Sequence, residues 1–165
     1  MSEQALKELL IEELRDTYSA ETQILEALPK MADAASSPEL KQAFQTHLQE
    51  TQGQVKRLEQ IFQILGEDPK GNTCEATQGL IEEAEEVMGE DFPPEVLDVA
   101  LVMNAQKVEH YEIASYGSLR TLAETVGMQD VAKLLDETLE EEKATDAKLT
   151  SLAEGNINPR AIKAA

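Results

Sequence analysis

LVMNAQKVEHYEIASYGSL, residues 101–119, sets Leu101, Ala105, Val108, Ser115 and Leu119 along one side of a helix, with Glu112 in the middle of that side. The same arrangement occurs twice more. Near the start, Leu10, Leu14, Leu25 and Leu28 bracket Glu21. Near the end, Val131, Leu134, Thr138, Thr145 and Leu149 bracket Glu142. Spacings of three, four and seven place each glutamate on the buried stripe of its helix. A carboxylate in a core is costly unless it is paired or binds a metal. Several converging in one core point to a metal cage inside a helix bundle.

The rest of the chain fits such a bundle. Its 165 residues suit one domain, and 41% hydrophobic residues can fill a core. Aromatic residues make up only 4%, so Leu, Ala, Val and Ile must do most of the packing. The formal net charge of −19 repels nucleic-acid phosphates and anionic membrane surfaces, so neither is expected as a partner. It makes cations the natural small ligands, although most of these charges simply keep the exterior solvated. Cys74 is the only cysteine, which rules out an internal disulfide and a zinc–thiolate cage. The opening residues lack a basic stretch followed by an apolar run, and no apolar stretch is long enough to span a bilayer. A cytoplasmic location is the expectation.

Turn signals divide the chain into four long helices and one short one. The first is expected over residues 3–33. Ser37 caps the second, with Pro38 at its first position, and apolar residues carry it to Gly66. The run Gly66-Glu67-Asp68-Pro69 breaks the chain before a short helix over residues 75–88. Pro93-Pro94 opens the third long helix, residues 94–126, and Gly127 separates it from the fourth, residues 129–153. Gly155 to Pro159 should stop that helix, giving a domain over residues 1–154 and a flexible tail over residues 155–165. Two short connections and one long crossover give two antiparallel hairpins, an all-α, ferritin-like four-helix bundle with a short helix in the crossover.

Dimetal sites of that architecture take one Glu from each of two helices and a Glu with a nearby His from the others. Carboxylates bridge the metals and imidazoles cap them. The candidate ligands are Glu21, His47, Glu50, Glu109, Glu112, Glu142 and Asp146. Glu21 and Glu112 correspond, each seven residues from an apolar core position on either side. Glu50 falls at the margin of its apolar sector, while His47, Thr51 and Gln54 fall within it. His47 precedes Glu50 by three residues instead of following it, a departure from the usual order. His110 points away from the core stripe. The plainer alternative is that each buried glutamate bonds a Tyr, His or Lys across the core, with Tyr18, Tyr111 and Tyr116 available.

Residues 105–117, AQKVEHYEIASYG, and 137–146, ETLEEEKATD, resemble the YciE/YciF family of ferritin-like proteins. So do residues 16–21, DTYSAE, the stretch His47 to Thr51, and the segment from Cys74 to Ala84. The likeness runs in order over residues 5–153. It implies a ferritin-like fold, a homodimer, a dimetal centre and an association with bacterial stress responses. Some members carry Glu and His where this chain has Gln49 and Gln52, which weakens any ligand role at Gln52.

The leading expectation is therefore a dimetal carboxylate protein holding two metal ions, iron first and manganese as substitute, that oxidises Fe(II) or reduces a peroxide. The alternative, from another class, is a metal-free helical stress protein acting by protein interaction. A second apolar stripe on the third long helix, Val99, Val102, Met103 and Ile113, is the expected dimer face, the alternative being that the short crossover helix covers part of it.

Overall fold

A computed structural model of the chain describes residues 2–164. All of its elements are helical: α1 Ser2–Ala34, α2 Pro38–Leu65, α3 Glu75–Met88, α4 Pro94–Thr125, α5 Gln129–Leu152, a π-helical turn Ala153–Ile157, and α6 Asn158–Lys163. Helices α1 and α2 form one antiparallel hairpin, α4 and α5 the other, and α3 lies in the crossover against α1 and α4. This is the expected ferritin-like bundle with a helix in its long connection.

Local chemistry explains the boundaries. Ser37 takes an extended conformation before α2, and its side chain accepts from the Leu40 amide. Gly66 closes α2 with φ of 69°, and Gly127 turns between α4 and α5 with φ of 77°. Both lie in the left-handed region where a side chain is unfavourable. The α1–α2 turn is held from outside by buried Asp98 of α4. Its carboxylate accepts from the Ser36 amide at 2.7 Å, the Ser36 hydroxyl at 2.6 Å and the Ser37 amide at 2.9 Å.

The interior has two apolar halves with a polar slice between them. One half gathers Leu10, Leu14, Leu58, Phe62, Leu119 and Leu135. The other gathers Ile24, Leu28, Phe44, Leu101, Leu149 and Ile157. The slice contains Glu21, His47, Glu112 and Glu142. The helical period drifts along each stripe, so Ile24 and Leu135 are the deeply buried positions, while their neighbours Leu25 and Leu134 are only partly buried.

The chain end differs from expectation. Gly155 to Pro159 does not stop the helix. An extra residue is accommodated as the π-helical turn, α6 continues to Lys163, and Ile157 is buried in the second core half. The expected loose tail from residue 155 is therefore helical through Lys163, anchored at Ile157, although α6 itself buries no side chain. It packs against α4. Val102 is buried in the same core half as Ile157, and Val99 is partly buried beside it. Of the expected dimer stripe, Met103 is left fully outward, with 59% of its surface exposed.

Replacing Asp98 with Ala leaves two backbone amides and a hydroxyl without their acceptor. The loss is expected to be about 2–4 kcal/mol, read from urea unfolding. Asp91→Ala, at an exposed site in the crossover, should change stability by less than about 0.5 kcal/mol.

Candidate metal centre

The polar slice is built by all four long helices. Glu21 comes from α1, His47 from α2, Glu109 and Glu112 from α4, and Glu142 from α5, and all five are buried. Glu109 and Glu112 are one turn apart, so both reach the same interior point. One ligand atom from each of His47, Glu109, Glu112 and Glu142 lies within 4.8 Å of all the others. The Nε2 atom of His47 is 3.0 Å from Glu109 Oε1 and 3.9 Å from Glu142 Oε2. The first distance is an ion-pair contact that lies off the ring N–H direction, because Nε2 has no well-directed hydrogen bond.

Glu21 stands beside this group. Tyr116, fully buried on α4, donates a short hydrogen bond to Glu21 Oε1. Its second oxygen has no partner. Nor do Glu109 Oε2, both oxygens of Glu112 or both of Glu142, and all are buried. So many buried acceptors without donors are rare in folded proteins and call for an explanation such as an ion.

Electrostatics agree with crowding. Burial, opposed first by the hydrogen bond from Tyr116, pushes the Glu21 carboxyl up to about 7. Burial, then the charges of Glu21, Glu142 and Glu109, holds Glu112 well above the usual range. Glu142 is raised by burial and by Glu109. Burial lowers the His47 pKa, but Glu109 and Glu50 outweigh it, and the ring stands well above its ordinary value. Without a cation, these groups therefore hold protons that they would otherwise release.

Two sequence candidates lie outside the group of four. Glu50 sits at its rim with 41% of its side chain exposed, 3.4 Å from His47 Nδ1. Asp146 turns away. It is 3.2 Å from Nε2 of His110, whose side chain is 69% exposed as expected, and accepts from Gln106 at 3.1 Å. Asp146 is one turn beyond Glu142, but its carboxylate goes to α4's outer edge.

Sequence reasoning missed the layer next to the cluster. Gln54 is fully buried and donates to Glu141 Oε2 at 3.1 Å. Arg57 grips both oxygens of Glu141 at 3.1 and 2.9 Å and donates to Thr138 at 2.6 Å. Glu141 is absent from the sequence candidates, yet it ties α5 to α2. No spacing within either helix could announce a pair 84 residues apart. Tyr116 was named as a possible partner for a buried glutamate, and it takes that role with Glu21.

Comparison with known proteins gives the family and supports the fold. Residues 5–162 match a family model described as a domain of unknown function, DUF892. The chain belongs to that family. It is 52% identical to the YciF protein of Escherichia coli strain K12 over 162 residues, covering 98% of each chain. Its fold matches the crystal structure of the E. coli stress protein YciF with a TM-score of 0.89 and 54% identity, over 93% of this chain and 97% of that one. The YcfI protein of Rhodopseudomonas palustris gives 0.87 at 49% identity, covering 88% and 93%. A Xanthomonas campestris protein gives 0.72 at 25%, covering 90% and 91%. Among the described residues, no helix is long and apolar enough to cross a membrane.

The raised pKa values fix a pH dependence for metal-free protein. Each group binds its proton more tightly folded than unfolded, so its contribution is fully present below the unfolded value of about 4.3 for Glu or 6.5 for His. It is lost as pH rises through the folded value, about 7 for Glu21 and well above the ordinary value for Glu112, Glu142 and His47. Metal-free protein should therefore lose stability steadily from pH 5 to 8 in urea titrations. Glu112→Gln, neutral at every pH, should flatten that slope.

Proposed function

We propose that this chain is a dimetal carboxylate protein, with iron as the metal and manganese as its substitute, that oxidises Fe(II) or reduces a peroxide. The observation that carries this reading is the set of unpartnered, buried carboxylate oxygens of Glu109, Glu112 and Glu142 gathered with His47, with that of Glu21 beside them. Glu21, His47, Glu109, Glu112 and Glu142 would hold the metals, with Glu50 available at the rim and Asp146 only after a change of rotamer. Four interior carboxylates and one imidazole form a mainly oxygen donor set, which suits iron and manganese better than copper or zinc–thiolate chemistry. When bound, such a centre supplies one-electron steps to oxygen or peroxide.

The chain's own residues do the rest. The two apolar core halves exclude water above and below the slice, so the charges inside it act in a low-dielectric space. Tyr116 orients Glu21 through its hydrogen bond. Glu50, half exposed and in contact with His47, is placed to pass protons between the ring and solvent.

A second reading rests on that same Tyr116–Glu21 contact. A tyrosine satisfying a buried glutamate is what a metal-free helical protein acting by interaction would use. It leaves both oxygens of Glu112 and of Glu142 unexplained, and for that reason stands second. The stress association of the E. coli relative extends to this chain as part of the proposal, under either reading.

Metal analysis decides between the two. Protein purified without chelator or nickel resin should carry iron or manganese. Glu21→Gln, Glu112→Gln and Glu142→Gln should each lower it by half or more, while exposed Glu140→Gln leaves it unchanged. Full occupancy in both Glu21→Gln and Glu142→Gln would rule the cage out.

We also propose a homodimer in which Met103 contributes to the contact, since it is a large apolar side chain left bare on α4. A specific contact buries about 800 Å² per subunit. The charge of −19 opposes it, so added salt should tighten it. Met103→Glu should shift sedimentation toward the monomer with helical content intact. A variant that keeps the dimer mass would place the contact elsewhere.

A further inference from the structure

An apolar cavity of about 120 Å³ lies against the cluster, in the half of the bundle that holds Leu28, Phe44 and Leu149. Helices α1 to α5 all contribute to its walls. Ala27, Ala43, Ala84, Ala105 and Ala144 line it, and much of the space is what their short side chains leave. The crossover helix closes one side with Leu80, Ile81 and Ala84. Few polar groups reach it. His47 and Glu109 belong to the buried cluster, while Glu50 and exposed Lys148 lie nearer solvent.

Three observations define an occupant. The first is size, because a dry apolar cavity of about 150 Å³ takes a benzene molecule, so this one suits about six non-hydrogen atoms. The second is charge, because Glu50 and Glu109 are offset by Lys148 and His47, so the lining has no net charge to repay the desolvation of an ion. The third is the carboxylate of Glu109, which lines the space and offers an acceptor to a donor brought in by a ligand.

We propose that this cavity binds a small uncharged organic molecule that gives an O–H end to Glu109 and an apolar body to the alanine-lined wall. The inference builds on the metal-centre reading by adding an organic molecule to what enters the centre. Because Glu109 is also a proposed metal ligand, the binding step is read in metal-free protein, where the cavity and Glu109 suffice and the two ideas fail separately.

The probe is pentan-1-ol, titrated into the full chain with and without metal and followed by methyl NMR of Leu28, Val108 and Leu149. Saturable shifts at these methyls are expected in the metal-free protein. Pentanoate, of equal chain length but charged, should bind about tenfold more weakly or worse, and so should octan-1-ol, which is too long. Ala84→Leu fills the cavity from the crossover helix and should weaken pentan-1-ol by about tenfold while metal content stays at the wild-type level. Ala27→Leu, from α1, repeats the test should Ala84→Leu disturb α3. The absence of saturable shifts, equal binding of pentanoate, or undiminished binding in both filled variants would overturn the proposal. Protein that binds pentan-1-ol but no metal would overturn the metal reading alone, and protein that binds metal but no alcohol would overturn the cavity site alone.

Discussion

Buried carboxylates that share one small volume are the constraint around which this bundle is arranged. Each ionised glutamate taken from water costs several kcal/mol unless something repays it, and neighbours of like charge add to that cost. Here four glutamates and one histidine accept that position in the middle of a helical core. The fold tolerates them because the two apolar halves on either side are well filled, with Leu10, Leu14 and Leu58 on one side and Leu28, Leu40 and Leu101 on the other. Dividing the core this way keeps the unfavourable groups together, where a single cation centre or shared protons can neutralise them all.

That division shapes the surroundings too. The slice is closed at its edge by contacts that cross between hairpins: Arg57 with Glu141, Gln54 with Glu141, and Tyr116 with Glu21. These are long-range, charged or amide contacts, and they fix the relative height of α1, α2, α4 and α5. A helix that slipped by one turn, about 5.4 Å, would move its glutamate out of the slice and a neighbour such as Ile24, Tyr116 or Leu139 into it. Asp98 adds a second check by clamping the α1–α2 turn from α4. The register of the bundle and the geometry of the cluster are thus one property seen twice.

The crossover helix α3 has two consequences. It covers apolar surface of α1 and α4 that a bare four-helix bundle would expose, and it closes the cavity beside His47 and Glu109. Cys74 at its start is buried, with its sulfur 3.2 Å from the Tyr111 hydroxyl, and that hydroxyl donates to Asp16 at 3.1 Å. The loop before α3 is pinned in the same way, with Arg15 donating to the Asp68 carbonyl and pairing with Glu67. The longest connection in the chain is therefore held at several points along its length.

What the sequence determined by itself was periodic. Glutamates at helical spacing within apolar stripes, a capped start at Ser37, and glycines at 66 and 127 were enough for the helices, the two hairpins, and the inward direction of Glu21, Glu112 and Glu142. Those facts depend on 3.6 residues per turn and on turn chemistry, both of which are local. Tertiary structure decided the rest. It placed Glu109 inside the cluster and Glu50 at its rim, because each lies near the edge of its stripe, where a small rotation of the helix changes the side. It turned Asp146 outward to His110, and it gave Glu141 to Arg57. It also folded the chain end onto α4, since Ile157 finds an apolar site there that outweighs the helix-breaking signals around it. Each of these depends on how helices distant in sequence are set against one another, which spacing along a single helix cannot express.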